Sequence, residues 1–180
     1  MSFLNKSLTN HINILHPRQT VLCSVQSKEE RNIITLAWTM IISRDPPIVA
    51  ISVSPLRYSH DLIKNSKEFT LNVPTKDIIK EVYYCGTHTG KTVDKFAETG
   101  LTPLDGKNID SPRIKECIGQ IECKVIDAKK YGDHTLFVGE VLTCLWKKGL
   151  SQQDTLTKIE IPYHMGGNKF VYNKNKIEKV

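Results

Sequence analysis

No apolar run in this 180-residue chain approaches the roughly 18 residues that a membrane helix needs. The N-terminal segment MSFLNKSLTNHINILH lacks the continuous apolar core of a secretion signal, so the cytoplasm is the expected compartment. Three glycine-based machines are missing. There is no GxGxxG after a strand, no GxxxxGK[ST] and no GxSxG, which argues against a Rossmann nucleotide site, a P-loop and a serine-hydrolase elbow. The five cysteines, Cys23, Cys85, Cys117, Cys123 and Cys144, are odd in number and include no CxxC pair. They imply neither a disulfide framework nor a dithiol redox centre, and buried reduced thiols are expected. Cys117 and Cys123 read as one strand, where six extended residues span roughly 20 Å, too far for a bridge. Cys85 and His88 alone fall short of the three or four protein ligands that zinc takes, so no metal is expected. Charge of one sign is not concentrated either. Lysine and arginine outnumber the acidic residues 25 to 19, giving a net charge of +6, but the basic residues are scattered. That balance suits a phosphorylated small ligand or an acidic partner and argues against nucleic acid.

What is present is a β pattern. Hydrophobic residues make up 39% of the chain, enough for one folded domain over residues 1–180 with a real core. Strands are predicted over residues 20–26, 33–43, 48–54 and 68–72. Two longer ones are predicted over 117–129 and 135–146, with a turn at 130–133. Residues 27–32 read as a turn, and Pro46-Pro47 must interrupt the ladder because neither residue can donate to it. Residues 58–65 read as a short helix with Ser59 as candidate cap, and 75–84 as a clear helix with Thr75 as N-cap. A second short helix is predicted over 92–99, ended by Gly100. Residues 101–112 read as a loop. A last hairpin is predicted around Gly166-Gly167, and the tail NKNKIEKV reads as solvated. Strands do not alternate regularly with helices, so the expected class is mainly β with short helices, an antiparallel barrel.

Four segments carry chemistry-bearing residues. In SVSPLRYS (residues 52–59) Ser52 and Ser54 share a strand face that turns polar where the strand ends, with Arg57 and Ser59 just beyond. Arginine, hydroxyls and free N–H groups are what a phosphate dianion needs, although a solvated turn has the same composition. CGTHTGKTVDKF (residues 85–96) is a glycine- and hydroxyl-rich run into a helix start and holds Thr89, Gly90 and Lys91. It can bind an anion or simply make a turn and a cap. NIITLAWTM (residues 32–40) sets Asn32, Trp38, Thr39 and Met40 in an otherwise apolar strand, where the tryptophan is either core or a cofactor wall. Gly132-Asp133-His134 offers an Asp-His pair at a strand start, catalytic or a capped turn.

In this order the segments NIITLAWT, SRDPPIVAISV, EFTLNVP, CGTHTGKTVDKF, SPRI and GDHTLFVGEV resemble the flavin reductase-like domain family, which includes the flavoredoxins. The resemblance runs from about Thr20 to Phe170. It implies an antiparallel Greek-key FMN-binding split barrel that works as a homodimer, with FMN near the subunit interface. By the same resemblance, phosphate contacts come from the stretch holding Ser52, Val53, Ser54, Arg57 and Ser59 and from the loop holding Thr89, Gly90 and Lys91. The flavin ring lies against Trp38, Thr39 and Met40, and Asn32 belongs to the same cofactor site. Thr89 stands where many relatives have serine, and Phe170 where tyrosine is frequent. His134 is the candidate catalytic residue, lining the nicotinamide side. The expected function is an NAD(P)H-dependent flavin oxidoreductase passing hydride or electrons through FMN to an acceptor. The alternatives are a flavoredoxin-type electron carrier reduced by a redox protein partner and, remotely, a nucleic-acid-binding barrel.

Overall fold

The computed structural model describes residues 7–150 and 157–173. The elements run α1 (His11–Ile14), β1 (Arg18–Gln19), β2 (Val21–Ser27), β3 (Glu30–Leu36), β4 (Thr39–Arg44), β5 (Pro47–Val53), α2 (Tyr58–Ser66), β6 (Glu68–Val73), α3 (Ile79–Thr87), α4 (Lys95–Thr99), β7 (Pro103–Leu104), β8 (Arg113–Ile114), β9 (Gly119–Tyr131), β10 (His134–Trp146), β11 (Pro162–His164) and β12 (Phe170–Tyr172). Seven strands form one antiparallel sheet in the order β3-β2-β6-β9-β10-β5-β4. Its two edge strands, β3 and β4, are joined by Ala37 and Trp38 alone. Three Cα steps reach no more than about 11 Å, so the edges must meet at that end and the sheet curls into a barrel split between them. Among the described residues no helix is long and apolar enough to cross a membrane.

The predicted single run over residues 33–43 is therefore two strands on opposite edges. Its β-branched composition carries no turn residue at Ala37-Trp38, and only closure of the sheet breaks it there. Trp38 stays tied to the far edge, because Ser52 N–H donates to its carbonyl at 3.0 Å. The turn expected over 27–32 shrinks to Lys28-Glu29, with Lys28 in the left-handed region at φ 56°. Asp45-Pro46 does end β4, and β5 starts at Pro47.

Alternation along β2 and β3 splits their side chains between two cores. Val21, Cys23, Val25, Ile34 and Leu36 face the barrel interior with Phe69, Leu71 and Phe137, and Leu62 and Ile63 of α2 join them. Leu22 and Ile33 face outward under Val82 and Cys85 of α3 and Phe96 of α4. The helix expected over 75–84 begins instead with a 3-10 turn at Lys76–Ile78, and Thr75 makes no capping hydrogen bond. The following α-helix continues through Cys85-Gly86 to Thr87, so the first three residues of the expected glycine-rich loop are helical. α4 is shorter than expected. Asp94 caps it by accepting from Phe96 N and Ala97 N, and Gly100 ends it at φ 69°, as the sequence predicts. Arg57, not Ser59, is the N-cap residue of α2.

The 101–112 loop carries β7, paired to β8, and is pinned to the outer sheet face by buried polar groups. Glu122, fully buried, accepts from Lys107 N at 2.7 Å and Asn108 N at 2.9 Å. Asn72 accepts from Ile114 N at 2.8 Å. Cys117 precedes β9 rather than lying on it. The hairpin of β11 and β12 forms as expected and pairs with β1. Tail residues 174–180 lie outside the described residues.

Candidate functional site

Where β3 gives way to β4 lies a cavity of about 570 Å³. Of the residues singled out in the sequence, Trp38, Ser52, Val53, Ser54, Arg57 and His134 line it. A recess of about 150 Å³ adjoins it, sharing Ile34, Leu56, Arg57, Gly86 and Thr87 with the larger cavity. Asn32, Ser59, Thr89 and Gly90 line this recess together with Lys95. Residues separated in sequence by the whole of α2 and α3 thus converge because β5 ends at Val53, turns through Ser54-Pro55-Leu56 and starts α2 at Arg57. Arg57 N–H donates to the Ser54 carbonyl at 3.0 Å, which closes that turn.

Three expected residues fall elsewhere. Thr39 and Met40 open on a separate apolar groove with Ile41 and Val49, because β4 crosses to the opposite edge immediately after Trp38. Lys91 faces a shallow surface with Glu30 and Asp94. The residue that sequence reasoning missed is Lys95. It is only 4% exposed, and its ammonium donates to the carbonyls of Ile33 and Cys85, each at 2.7 Å. An ammonium has three donors, so one remains. Burial, with the nearby charge of Arg57, pulls its pKa down to about 8. Among the described residues no carboxylate lies within ion-pair distance of Lys95 or Arg57. Two cations share a recess without an acid, a costly arrangement unless an anion completes it.

The rest of the recess is shaped for a ligand. Asn32 is 3% exposed. Its amide donates to Ser59 Oγ at 2.8 Å, while its Oδ1 is buried with no partner. Gly90 packs against it, and a Cβ at that position would sit 2.3 Å from Asn32 Oδ1 and 2.9 Å from Tyr58 Cδ1. Only glycine fits so close an approach. At the other end of the cavity the His134 ring lies 4.5 Å from the Trp38 ring, centroid to centroid, tilted 34°. Its Nδ1 bonds Asp133 Oδ1 at 2.8 Å, and His134 holds the Asp133 carboxyl below its ordinary range. Cys85 borders the recess but is fully buried, and burial pushes its thiol up to about 11. At neutral pH it is a packing thiol, not a nucleophile. The described residues include no cluster fit to hold a metal ion.

A phosphate-bearing ligand with hydroxyls and a planar ring fits this arrangement. Arg57 and Lys95 supply cationic donors, Asn32 Oδ1 an acceptor for a hydroxyl, and Trp38 a flat wall. The flavin reductase like domain matches residues 14–169. An uncharacterised protein of Pyrococcus abyssi is 34% identical over 165 residues, 91% of this chain and 95% of its own. The crystal structure of an FMN-binding protein from Thermus thermophilus superposes with a TM-score of 0.88 at 22% identity, over 100% of this chain and 99% of that one. Flavoredoxin of Desulfovibrio vulgaris does so at 0.86 with 25% identity, over 98% and 97%. The fold is thus the mainly β, antiparallel split barrel of these FMN-binding neighbours. The chain belongs to the flavin reductase like domain family.

Proposed function

We propose that the chain is an FMN-dependent oxidoreductase that draws hydride from NADH or NADPH and passes it, or its electrons, to an acceptor. The observation that carries this reading is the acid-free recess of Arg57 and Lys95 opening directly into the cavity walled by Trp38. Bound FMN would supply the two-electron chemistry, so the protein has only to hold, shield and tune it. Arg57 and Lys95 hold the phosphate, with the Ser59 hydroxyl and the loop at Thr89 and Gly90 alongside. Asn32 Oδ1 accepts from a hydroxyl of the ribityl chain. Ser52 and Ser54 offer hydroxyls at the cavity wall, and Val53 lines it beside them. Lys95 takes the role expected of Lys91. His134 keeps a proton at Nδ1 against Asp133 at the open side, where a nicotinamide ring has room to enter.

Anaerobic mixing of the FMN-loaded protein with NADH and NADPH tests the reading. Loss of the visible absorbance of oxidised flavin with either one is expected. No loss with either, together with full reduction by dithionite, overturns the NAD(P)H assignment in favour of a carrier that a protein partner reduces.

Arg57→Ala is expected to weaken FMN binding by about 1.5–3 kcal/mol, the usual worth of a hydrogen bond to a charged group. Unchanged affinity in a fluorescence titration removes Arg57 from the site. Cys85→Ser is expected to leave the rate of flavin reduction within about tenfold of wild type, or about 1.4 kcal/mol of barrier. A larger loss with FMN still bound would give that thiol a part in the chemistry.

We also infer a cytoplasmic homodimer. Edge strand β4 carries Met40, Ile41 and Ile42 at 59%, 80% and 46% exposure, an apolar edge of the kind that proteins cover. Light scattering on the FMN-loaded protein is expected to give the mass of two chains, and Ile41→Lys to lower it to one. A single-chain mass for the wild type contradicts the dimer.

A further inference from the structure

Three buried side-chain polar atoms in the described residues have no hydrogen-bond partner: Asn32 Oδ1, Thr20 Oγ1 and Arg18 Nε. Arg18 lines the separate groove of Thr39 and Met40. The other two border the site in different parts of it. Asn32 lies in the recess with Lys95. Thr20 is 1% exposed and lines the 570 Å³ cavity, which Trp38 also walls, and not the recess. Buried polar groups are ordinarily satisfied, so an orphan in the recess and another in the cavity point to a ligand long enough to reach both.

The fold holds Thr20 in place. Its N–H donates to the Pro162 carbonyl at 3.0 Å. Val21 pairs with Leu36, and one more step along that register sets Thr20 across from Ala37, the neighbour of Trp38. By strand alternation Thr20 falls on the face of Leu22, the face that α3 covers. Val82, Tyr83, Gly86 and Thr87 of α3 line the cavity there. The other threonine hydroxyls of this lining are taken. Thr35 Oγ1 donates to the Val82 carbonyl, and Thr87 Oγ1 to the Tyr83 carbonyl at 2.9 Å. Thr20 Oγ1 keeps both a donor and acceptor capacity in hand.

A flavin ring has one edge of alternating carbonyl and N–H groups and an opposite edge of methyl-bearing carbon. With the phosphate at Arg57 and Lys95 and the ring on Trp38, the edge that meets Thr20 decides whether its hydroxyl is satisfied. The carbonyl and N–H edge pairs with it in either sense. The methyl edge would leave it buried without a partner, which is costly. We propose that Thr20 is a ring-binding residue, whose hydroxyl hydrogen-bonds the carbonyl and N–H edge of the flavin and so sets which way round the ring lies on Trp38. This rests on the function proposed above, which supplies the flavin.

The test sets ligand affinity against the stability of the ligand-free protein. Thr20→Val keeps the shape of the side chain and removes the hydroxyl. Thr20→Ser keeps the hydroxyl. In titrations followed by flavin fluorescence, Thr20→Val is expected to weaken FMN binding about 3- to 10-fold, and Thr20→Ser to stay within about twofold of wild type. Thermal unfolding without ligand is expected to show Thr20→Val at least as stable as wild type, because the variant no longer buries an unpaired hydroxyl. Unchanged FMN affinity in Thr20→Val overturns the inference and leaves the flavin reading standing. An equal loss of affinity in both variants, or a lower unfolding temperature for ligand-free Thr20→Val, also overturns it, since the side chain then acts by packing. Absence of FMN binding in the wild type fails the flavin reading, and this inference with it.

Discussion

Lys95→Met is expected to lower FMN affinity by about 10- to 100-fold, comparable to the loss expected for Arg57→Ala. The ammonium already spends two donors on the Ile33 and Cys85 carbonyls, at 2.7 Å each, which fixes the third against the recess. Methionine keeps the length of the side chain and removes the charge. The pH dependence carries the same signature. Burial lowers the Lys95 pKa from 10.5 to about 8. Below pH 8 the ammonium is in place before the phosphate arrives. Above pH 8 the free protein must take up a proton to bind the anion, so affinity falls with rising pH by up to about tenfold per unit. That slope is expected to vanish in Lys95→Met. For the ligand-free protein the sign is opposite. Between pH 8 and 10.5 the unfolded chain binds more protons than the folded one, so this group makes stability rise with pH across that window. Calorimetric titrations of both proteins at several pH values check each statement, and an unchanged slope in the variant removes Lys95 from the anion site.

Phe69→Ala is expected to destabilise the fold by about 3–5 kcal/mol, a large part of the roughly 5–15 kcal/mol that holds a typical domain together. Phe69 is fully buried at the centre of the barrel core. Its ring rests on bare backbone at Gly139, where an added Cβ would come within 2.7 Å of Phe69 Cζ. Neighbours so closely fitted cannot collapse into the space an alanine leaves. Urea unfolding measures the loss directly, and a change below about 1 kcal/mol contradicts the packing described. The two substitutions differ in readout: Phe69→Ala leaves the recess groups in place, whereas Lys95→Met weakens the ligand and also costs some stability, because the Ile33 and Cys85 carbonyls lose their buried donor.

Much of the site is legible in the amino-acid sequence. The hydroxyls and arginine of Ser52–Ser59, the aromatic at Trp38 and the Asp133-His134 pair sit where strands end, and the order of motifs points to the family. Lys95 is not legible. In the run Asp94-Lys95-Phe96 a lysine beside a helix cap reads as a solvated flank, and only the packing of α4 on β3 buries it. Lys91, two residues from the start of the turn that Thr89 opens, offers the same charge in a more suggestive place. Thr39 and Met40 mislead for a related reason. Their strand is continuous in composition with β3, and the break at Trp38 comes from closure between the sheet edges rather than from any turn residue. Asn32 lines the recess, and its contact with Gly90 spans 58 positions and has no local signature.

The most direct measurement compares FMN with riboflavin, which differs by the phosphate alone, in binding titrations followed by quenching of flavin fluorescence. With Arg57 and Lys95 holding the phosphate, FMN is expected to bind one molecule per chain and riboflavin to bind at least about 100-fold more weakly. Equal affinity for the two, or no binding of FMN, would contradict the placement of the phosphate in the Arg57–Lys95 recess.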